Sequence, residues 1–283
     1  MTPNPNFKLS EDYSYSLIRF GSGEIQVKLD DPTYFTALQG HAHPHVLISG
    51  SILRSSHVME LLQLVEAIRY YGPELTLYFE MPYCAYSRQD RRCNAGESFS
   101  LKVFADLINS CNFAFVTTYD NHSDVATALI HNCRNISVYS ILSEYEDYAT
   151  YDFLVSPDAG ANKKVFKCSY HFDIPMIRAD KLRDTSTGNI LETQVYYNSE
   201  QLLGRKVLIV DDICAGGRTF IELAKALKAK EPNVEIHLYV THGFFHRGFD
   251  DLEAAGISKV ITTNSVYDDV PNEYVTVLDT EKL

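Results

Sequence analysis

The stretch from Val207 to Thr219 constrains this chain more than any other. Four apolar residues, Val207 to Val210, run without polar alternation into Asp211 and Asp212, and then through Ile213, Cys214 and Ala215 to Gly216, Gly217, Arg218 and Thr219. A short unbroken apolar run reads as a strand covered on both faces, the kind found in parallel sheets. The loop after such a strand faces the ligand crevice at the sheet's carboxyl edge. Two glycines there let backbone amides approach an anion closely, and a helix opening at Thr219 adds partial positive charge. Thr219 can add a hydroxyl donor to a phosphate oxygen, while Asp211 and Asp212 are acceptors suited to sugar hydroxyls. A bland strand end with an acidic turn and a helix cap is the competing reading, and the length of the pattern argues against it.

The rest of the chain alternates strand and helix. Ser55-Ser56 precede a stripe of Val58, Leu61, Leu62, Val65 and Ile68 at helical spacing, and Gly72-Pro73 ends it, so a capped amphipathic helix is expected. Strands are expected at 75–79, 113–118, 136–140 and 153–155, with a second helix over 99–108. In the second half a helix is expected over 219–227, strands over 234–240 and 259–262, and a helix near 251–255. Strands alternating with helices imply parallel sheets. The 283 residues suffice for two modest α/β domains, and the polar segment Ser143–Tyr151 marks a boundary, giving domains of 1–145 and 146–283.

Charge and composition exclude several function classes. A net charge of −12 argues against a nonspecific nucleic-acid surface, so no nucleic-acid partner is expected. Any phosphate site must then use backbone amides, a few Arg and Lys, or a metal. No run approaches a membrane span and Met-Thr-Pro-Asn-Pro-Asn lacks signal-peptide regions, so no membrane partner and a cytoplasmic location are expected. Six scattered cysteines without a Cys-x-x-Cys pair suggest reduced thiols. His41-Ala42-His43-Pro44-His45 invites a metal reading, but Pro44 breaks helical spacing and a turn before a strand at 46–48 is the better one. Nineteen Tyr and fifteen Phe are spread over core-like positions and give no reason to infer base stacking.

The 207–219 segment resembles the phosphoribosyl-diphosphate-binding motif shared by type I phosphoribosyltransferases and ribose-phosphate pyrophosphokinases. Pro82-Tyr83-Cys84-Ala85-Tyr86-Ser87-Arg88-Gln89-Asp90-Arg91 resembles the pyrophosphokinase signature Pro-Tyr-x-x-Tyr-x-Arg-Gln-Asp-Arg, which the transferases lack. Read from its residues, a guanidinium fork here grips phosphate or stacks on a base; the resemblance implies ATP contacts from Arg88 and Gln89, with Asp90 beside them. Asp120-Asn121-His122 resembles the family's Asp-x-His and makes His122 a ligand of the Mg²⁺ of Mg-ATP. Phe20-Gly21-Ser22-Gly23-Glu24 is similar to the family's Phe-x-x-x-Glu element, which implies that Phe20, Ser22 and Glu24 reach a neighbouring subunit's ATP in a homo-oligomer.

Ser156-Pro157-Asp158-Ala159-Gly160 resembles a loop beside ribose and metal, making Asp158 a second metal residue. Asp180-Lys181-Leu182-Arg183 is similar to the family's flexible catalytic loop, which makes Lys181 and Arg183 the catalytic pair, and the polar stretch 183–189 suits a mobile lid. Thr241-His242-Gly243 and Thr262-Thr263-Asn264 resemble late family elements. The resemblance runs in order from about residue 20 to 270. It implies an α/β fold of two phosphoribosyltransferase-like domains, each a mostly parallel sheet flanked by helices: ATP-binding first, ribose 5-phosphate-binding second. The implied reaction moves the pyrophosphoryl group of Mg-ATP to the C1 hydroxyl of ribose 5-phosphate. Asp211, Asp212, Ala215, Gly216, Gly217, Arg218 and Thr219 would hold ribose 5-phosphate. Two departures stand in that loop: Ala215 where the synthetases carry an acidic residue, and Arg218, which strengthens the phosphate grip or crowds the loop. A type I phosphoribosyltransferase and a catalytically silent regulatory paralogue are the rival readings.

Overall fold

A computed structural model of the chain describes residues 4–10, 13–183, 190–196 and 202–283. The chain divides into two compact units, Met1–Ile136 and Ser137–Leu283.

The first unit holds β1 (Lys8–Leu9), β2 (Tyr15–Arg19), β3 (Ile25–Leu29), α1 (Thr33–Leu38), β4 (His45–Ser49), α2 (Ser55–Tyr71), β5 (Thr76–Met81), α3 (Ser100–Ser110), β6 (Phe115–Tyr119), α4 (Val125–Leu129) and β7 (Cys133–Ile136). Its main sheet runs β1-β4-β5-β6-β7, with β4 to β7 parallel and β1 antiparallel at one edge. Helix α2 buries Val58, Leu61, Leu64, Val65 and Ile68, the expected stripe with Leu64 inside and Leu62 only half-buried. Its N-cap is Arg54, which offers no side-chain acceptor, so the expected serine cap is not formed. Instead the Leu53 amide donates to His57 Nδ1 at 3.3 Å, satisfying a donor just before the helix.

A separate antiparallel hairpin, β2–β3, packs on α2. Glu60, a buried acid on α2, accepts from the Tyr15 hydroxyl at 2.6 Å and from the Asn6 amide at 2.7 Å. These bonds offset the cost of burying a carboxylate. One residue-turn further, Gln63 accepts from the Val27 amide and donates to the Ile25 carbonyl, both at 3.0 Å. The helix thus supplies the hairpin edge with bonds that another strand would otherwise make.

The second unit holds α5 (Val138–Leu142), β8 (Phe153–Ser156), α6 (Asn162–Phe172), β9 (Met176–Arg183), β10 (Ile190–Tyr196), β11 (Lys206–Cys214), α7 (Arg218–Lys230), β12 (Glu235–Gly243), α8 (Asp250–Ala254), β13 (Ile257–Thr263) and β14 (Val275–Leu278). Its sheet runs β10-β9-β8-β11-β12-β13-β14, parallel throughout except for β10. Val207, Leu208, Ile209 and Val210 are all fully buried, as a central strand covered on both faces requires. Both units are therefore mostly parallel sheets flanked by helices, the α/β class the alternation implied.

Two expectations are corrected. Residues 138–142 form a helix and not the end of a strand: the Ser140 amide donates to Ser137 Oγ, which caps α5, while Val138, Ile141 and Leu142 turn inward. Residues 180–183 are the end of strand β9, paired antiparallel with β10, and not a loop.

Candidate functional site

In the first unit, β5 ends at Met81 and its chain continues into a long loop that is tightly fastened. Tyr83 donates its amide to Ser51 Oγ at 3.1 Å, tying the loop to the end of β4. Tyr86 adopts a left-handed φ of 61° and packs on Phe104 of α3, with ring centroids 5.3 Å apart. The Gln89 amide closes this turn onto the Tyr86 carbonyl at 2.9 Å, and the Gln89 carbonyl accepts from Leu101 at 3.3 Å. Ser87 is buried, whereas Arg88 and Gln89 project outward. Arg88 makes no hydrogen bond or ion pair among the described residues.

His122 follows β6 by a comparably constrained route. Asp120 is buried at a left-handed φ of 40°, and its amide donates to the Ile136 carbonyl at 2.8 Å. Asn121 donates from its amide to Asn135 Oδ1 at 3.0 Å and from Nδ2 to Thr118 Oγ1 at 2.9 Å. The result is a cavity of about 550 Å³ lined by Arg88, Gln89, Asp90, Arg91, Cys93 and His122, among others. That is ample for a nucleotide. Burial works against ionisation of Asp90, but the Ser123 hydroxyl, the Arg91 guanidinium 2.9 Å away and His122 hold its carboxyl below the usual range. Four of the sequence-selected residues, Arg88, Gln89, Asp90 and His122, are thus brought together.

Phe20, Ser22 and Glu24 are not among the residues lining that cavity. They sit at the exposed tip of the β2–β3 hairpin, where the Phe20 amide donates to the Glu24 carbonyl at 2.9 Å and Ser22 Oγ donates to Glu24 Oε2 at 2.6 Å.

In the second unit, β11 delivers Asp211 and Asp212 at its carboxyl end. The Asp212 amide donates to Asp211 Oδ1 at 2.9 Å. Burial, and then the neighbouring Asp212 carboxylate, pushes the Asp211 carboxyl well above the usual carboxylate range. Lys164 of α6 opposes that shift, its ammonium lying 3.7 Å from Asp212 Oδ2. Lys164, beside this aspartate pair, is a residue that sequence reading did not single out. Its one signal is its place just after the Ser156–Gly160 loop, at the start of a helix.

The loop beyond β11 turns at Gly217, φ 74°, which is the N-cap of α7. The Gly216 and Arg218 amides, in exposed residues at the N-terminus of α7, donate to no group among the described residues, as the first amides of a helix do where an anion can approach. The segment after β12 braces the loop: Phe244 donates to the Cys214 carbonyl at 2.8 Å and His246 to the Ala215 carbonyl at 2.9 Å. That segment is anchored in turn by buried polar bonds, His242 Nδ1 with Ser265 Oγ at 2.8 Å and Thr263 Oγ1 to the Thr241 carbonyl at 2.7 Å. Arg218 does not crowd the loop. Its exposed side chain lines a groove along α7 with Ile221, Lys225, Arg247 and Asp251.

Asp158 turns one oxygen back on its own loop, Oδ1 accepting from the Ala161 amide at 3.1 Å. Lys181 and Arg183 occupy β9 opposite Thr193 and Ile190; their side chains, and the whole of 184–189, lie outside the described residues. Among the described residues no group of three or more His, Cys, Asp or Glu is arranged to hold a metal ion. His122 beside Asp90 fits a cation that arrives on phosphates and keeps several waters, the usual habit of Mg²⁺.

Two such units, one with a strand–glycine loop–helix and one with a cleft beyond its strand ends, have the α/β architecture of phosphoribosyltransferase-type domains. The family model described as N-terminal domain of ribose phosphate pyrophosphokinase matches residues 11–111, and the phosphoribosyl transferase domain matches residues 127–267. The chain belongs to the ribose-phosphate pyrophosphokinase family. It is 27% identical over 229 residues to the ribose-phosphate pyrophosphokinase of Sulfolobus acidocaldarius, covering 80% of this chain and 77% of the relative. It is 26% identical over 262 residues to that of Sulfurisphaera tokodaii, covering 90% and 88%. A crystal structure of phosphoribosylpyrophosphate synthetase from Mycobacterium smegmatis superposes with a TM-score of 0.78 at 22% identity, over 94% of this chain and 86% of that one. At that identity the likeness speaks for the fold.

Proposed function

We propose that this chain is a ribose-phosphate diphosphokinase. It transfers the pyrophosphoryl group of Mg-ATP to the C1 hydroxyl of ribose 5-phosphate, giving phosphoribosyl pyrophosphate and AMP. The observation that carries this reading is the cavity shared by Arg88, Gln89, Asp90 and His122. A transferase that consumes phosphoribosyl pyrophosphate has no use for a second polyphosphate cleft in a separate unit.

In this reading Arg88 grips the ATP phosphates, Gln89 and Asp90 orient the nucleotide, and Asp211 and Asp212 accept from ribose hydroxyls. The amides from Ala215 to Thr219 hold the 5-phosphate. Lys181 and Arg183 neutralise charge on the transferring group, so positioning and charge compensation make up most of the catalysis. His122 in the first unit, and separately Asp158 in the second, would hold magnesium, which would supply neutralisation of phosphate charge. The site is completed by the Phe20–Glu24 tip of a second copy, which makes the active form a homo-oligomer. A cytoplasmic location, where free thiols such as these six persist, goes with the reading; among the described residues no helix is long and apolar enough to cross a membrane.

Incubation with ribose 5-phosphate, Mg²⁺ and ATP tests the proposal. AMP formation dependent on ribose 5-phosphate is expected. Retained ribose 5-phosphate binding without AMP would point to the silent paralogue, and pyrophosphate release from phosphoribosyl pyrophosphate plus a base to the transferase.

A further inference from the structure

The acidic end of β11 poses a physical problem that the phosphate loop does not solve. Asp211 and Asp212 are consecutive, Asp212 is buried and Asp211 partly so, and their carboxylates repel one another. Two crowded carboxylates in low dielectric tend to take up a proton and bond to each other, and Asp211, raised by burial and by Asp212, is already shifted that way; a nearby cation opposes the shift. A protonated pair bonded to itself has less acceptor capacity left for a sugar hydroxyl. Helix α6 supplies the cation. Lys164 lies on its first turn, its side chain only 19% exposed, with the ammonium 3.7 Å from Asp212 Oδ2, whose own side chain is 7% exposed.

An ordinary buried ion pair that merely steadies the fold would join two groups with no other task. Here the acceptor belongs to the pair at the carboxyl end of a central parallel strand, the edge at which such sheets bind ligands. We infer that Lys164 is a positioning residue for ribose binding, holding the Asp212 carboxylate in place and opposing protonation of Asp211, so that the pair can accept ribose hydroxyls. The inference rests on the ribose 5-phosphate reading above. Lys164 touches no substrate in this account and acts through the two aspartates, so its loss weakens one substrate and spares the other.

The test compares Lys164→Met, Lys164→Gln and Lys164→Arg with the wild type in steady-state kinetics and in direct calorimetric titration of ribose 5-phosphate. In Lys164→Met, KM and Kd for ribose 5-phosphate rise about tenfold or more, while kcat and the KM for ATP stay within about threefold. Lys164→Arg, which keeps the charge, recovers most of the affinity. If Lys164→Met does not fold, Lys164→Gln, which keeps a polar head, gives the same readout. Unchanged affinity, a fall in kcat alone, or no recovery with arginine overturns the inference. A wild type that binds ribose 5-phosphate but makes no AMP overturns the proposed reaction instead, since the titration still reads Lys164.

Discussion

Gly217 shows how a single residue fixes the geometry of the loop proposed to hold the 5-phosphate. Its φ of 74° lies where a side chain is strained, and a Cβ there would come within 3.2 Å of Leu252. Gly217→Ala is expected to lose about 1 kcal/mol or more of stability in denaturant titration and to weaken ribose 5-phosphate binding in the same variant. Unaltered binding would mean the loop does not hold the phosphate. Lys181 is a different case, since its role comes from sequence resemblance. Lys181→Ala should leave substrate binding largely intact and lower turnover on the order of 100-fold or more, read as kcat against KM. At this scale much of the site was legible: Arg88, Gln89, Asp90 and His122 were chosen from local motifs and line one cavity. Lys164 was not, because its meaning depends on Asp212, a contact between α6 and β11 that no local pattern encodes. Arg218 was legible as a departure but not as harmless, since only the turn at Gly217 sends its side chain along α7.

Among the elements, β12 carries a buried switch unrelated to the chemistry. His237 accepts from the Tyr151 hydroxyl on Nδ1 at 2.7 Å and donates from Nε2 to Glu235 at 2.8 Å, a pairing that suits the neutral ring. Burial, and then the Lys206 ammonium, pushes its pKa down to about 4. The unfolded chain binds this proton near pH 6.5. The neutral ring's contribution is thus fully present above pH 6.5, and is lost as pH falls from there through about 4. Urea midpoints followed by a probe in the second unit should drop across that window in the wild type, and drop less in His237→Gln. A parallel pH dependence in both would contradict the assignment. Long apolar strands were legible because burial on both faces leaves no ambiguity, as at Val207–Val210. Short segments were not. Val138, Ile141 and Leu142 suit a strand or a single helical turn equally well, and the Ser137 cap decided it. The β2–β3 hairpin alternates plainly in Tyr15–Arg19 and Ile25–Leu29, yet its partner is α2 through Glu60 and Gln63, which alternation cannot disclose.

The whole chain bears a net charge of −12, so the proposed phosphate sites have to be local exceptions built from amides and a few cations. Tyr78 and Phe115, neighbours across β5 and β6, are both exposed, so this face of a mostly parallel sheet is not closed off as such sheets usually are. The proposed sharing of the ATP site between copies makes a prediction at this scale. Phe20→Ala and Arg88→Ala should each be nearly inactive alone. Mixed in equal amounts and allowed to exchange subunits, they should regain about a quarter of wild-type activity, because some sites then receive both intact parts. No recovery after verified exchange would mean that each copy completes its own site. The central claim is transfer of an intact pyrophosphoryl group, and labelled ATP tests it most directly. With ATP labelled in parallel at the β- and γ-phosphorus, both labels should appear in the sugar product in equal amounts, with AMP formed one for one. Transfer of the γ label alone, with ADP as the other product, would contradict it.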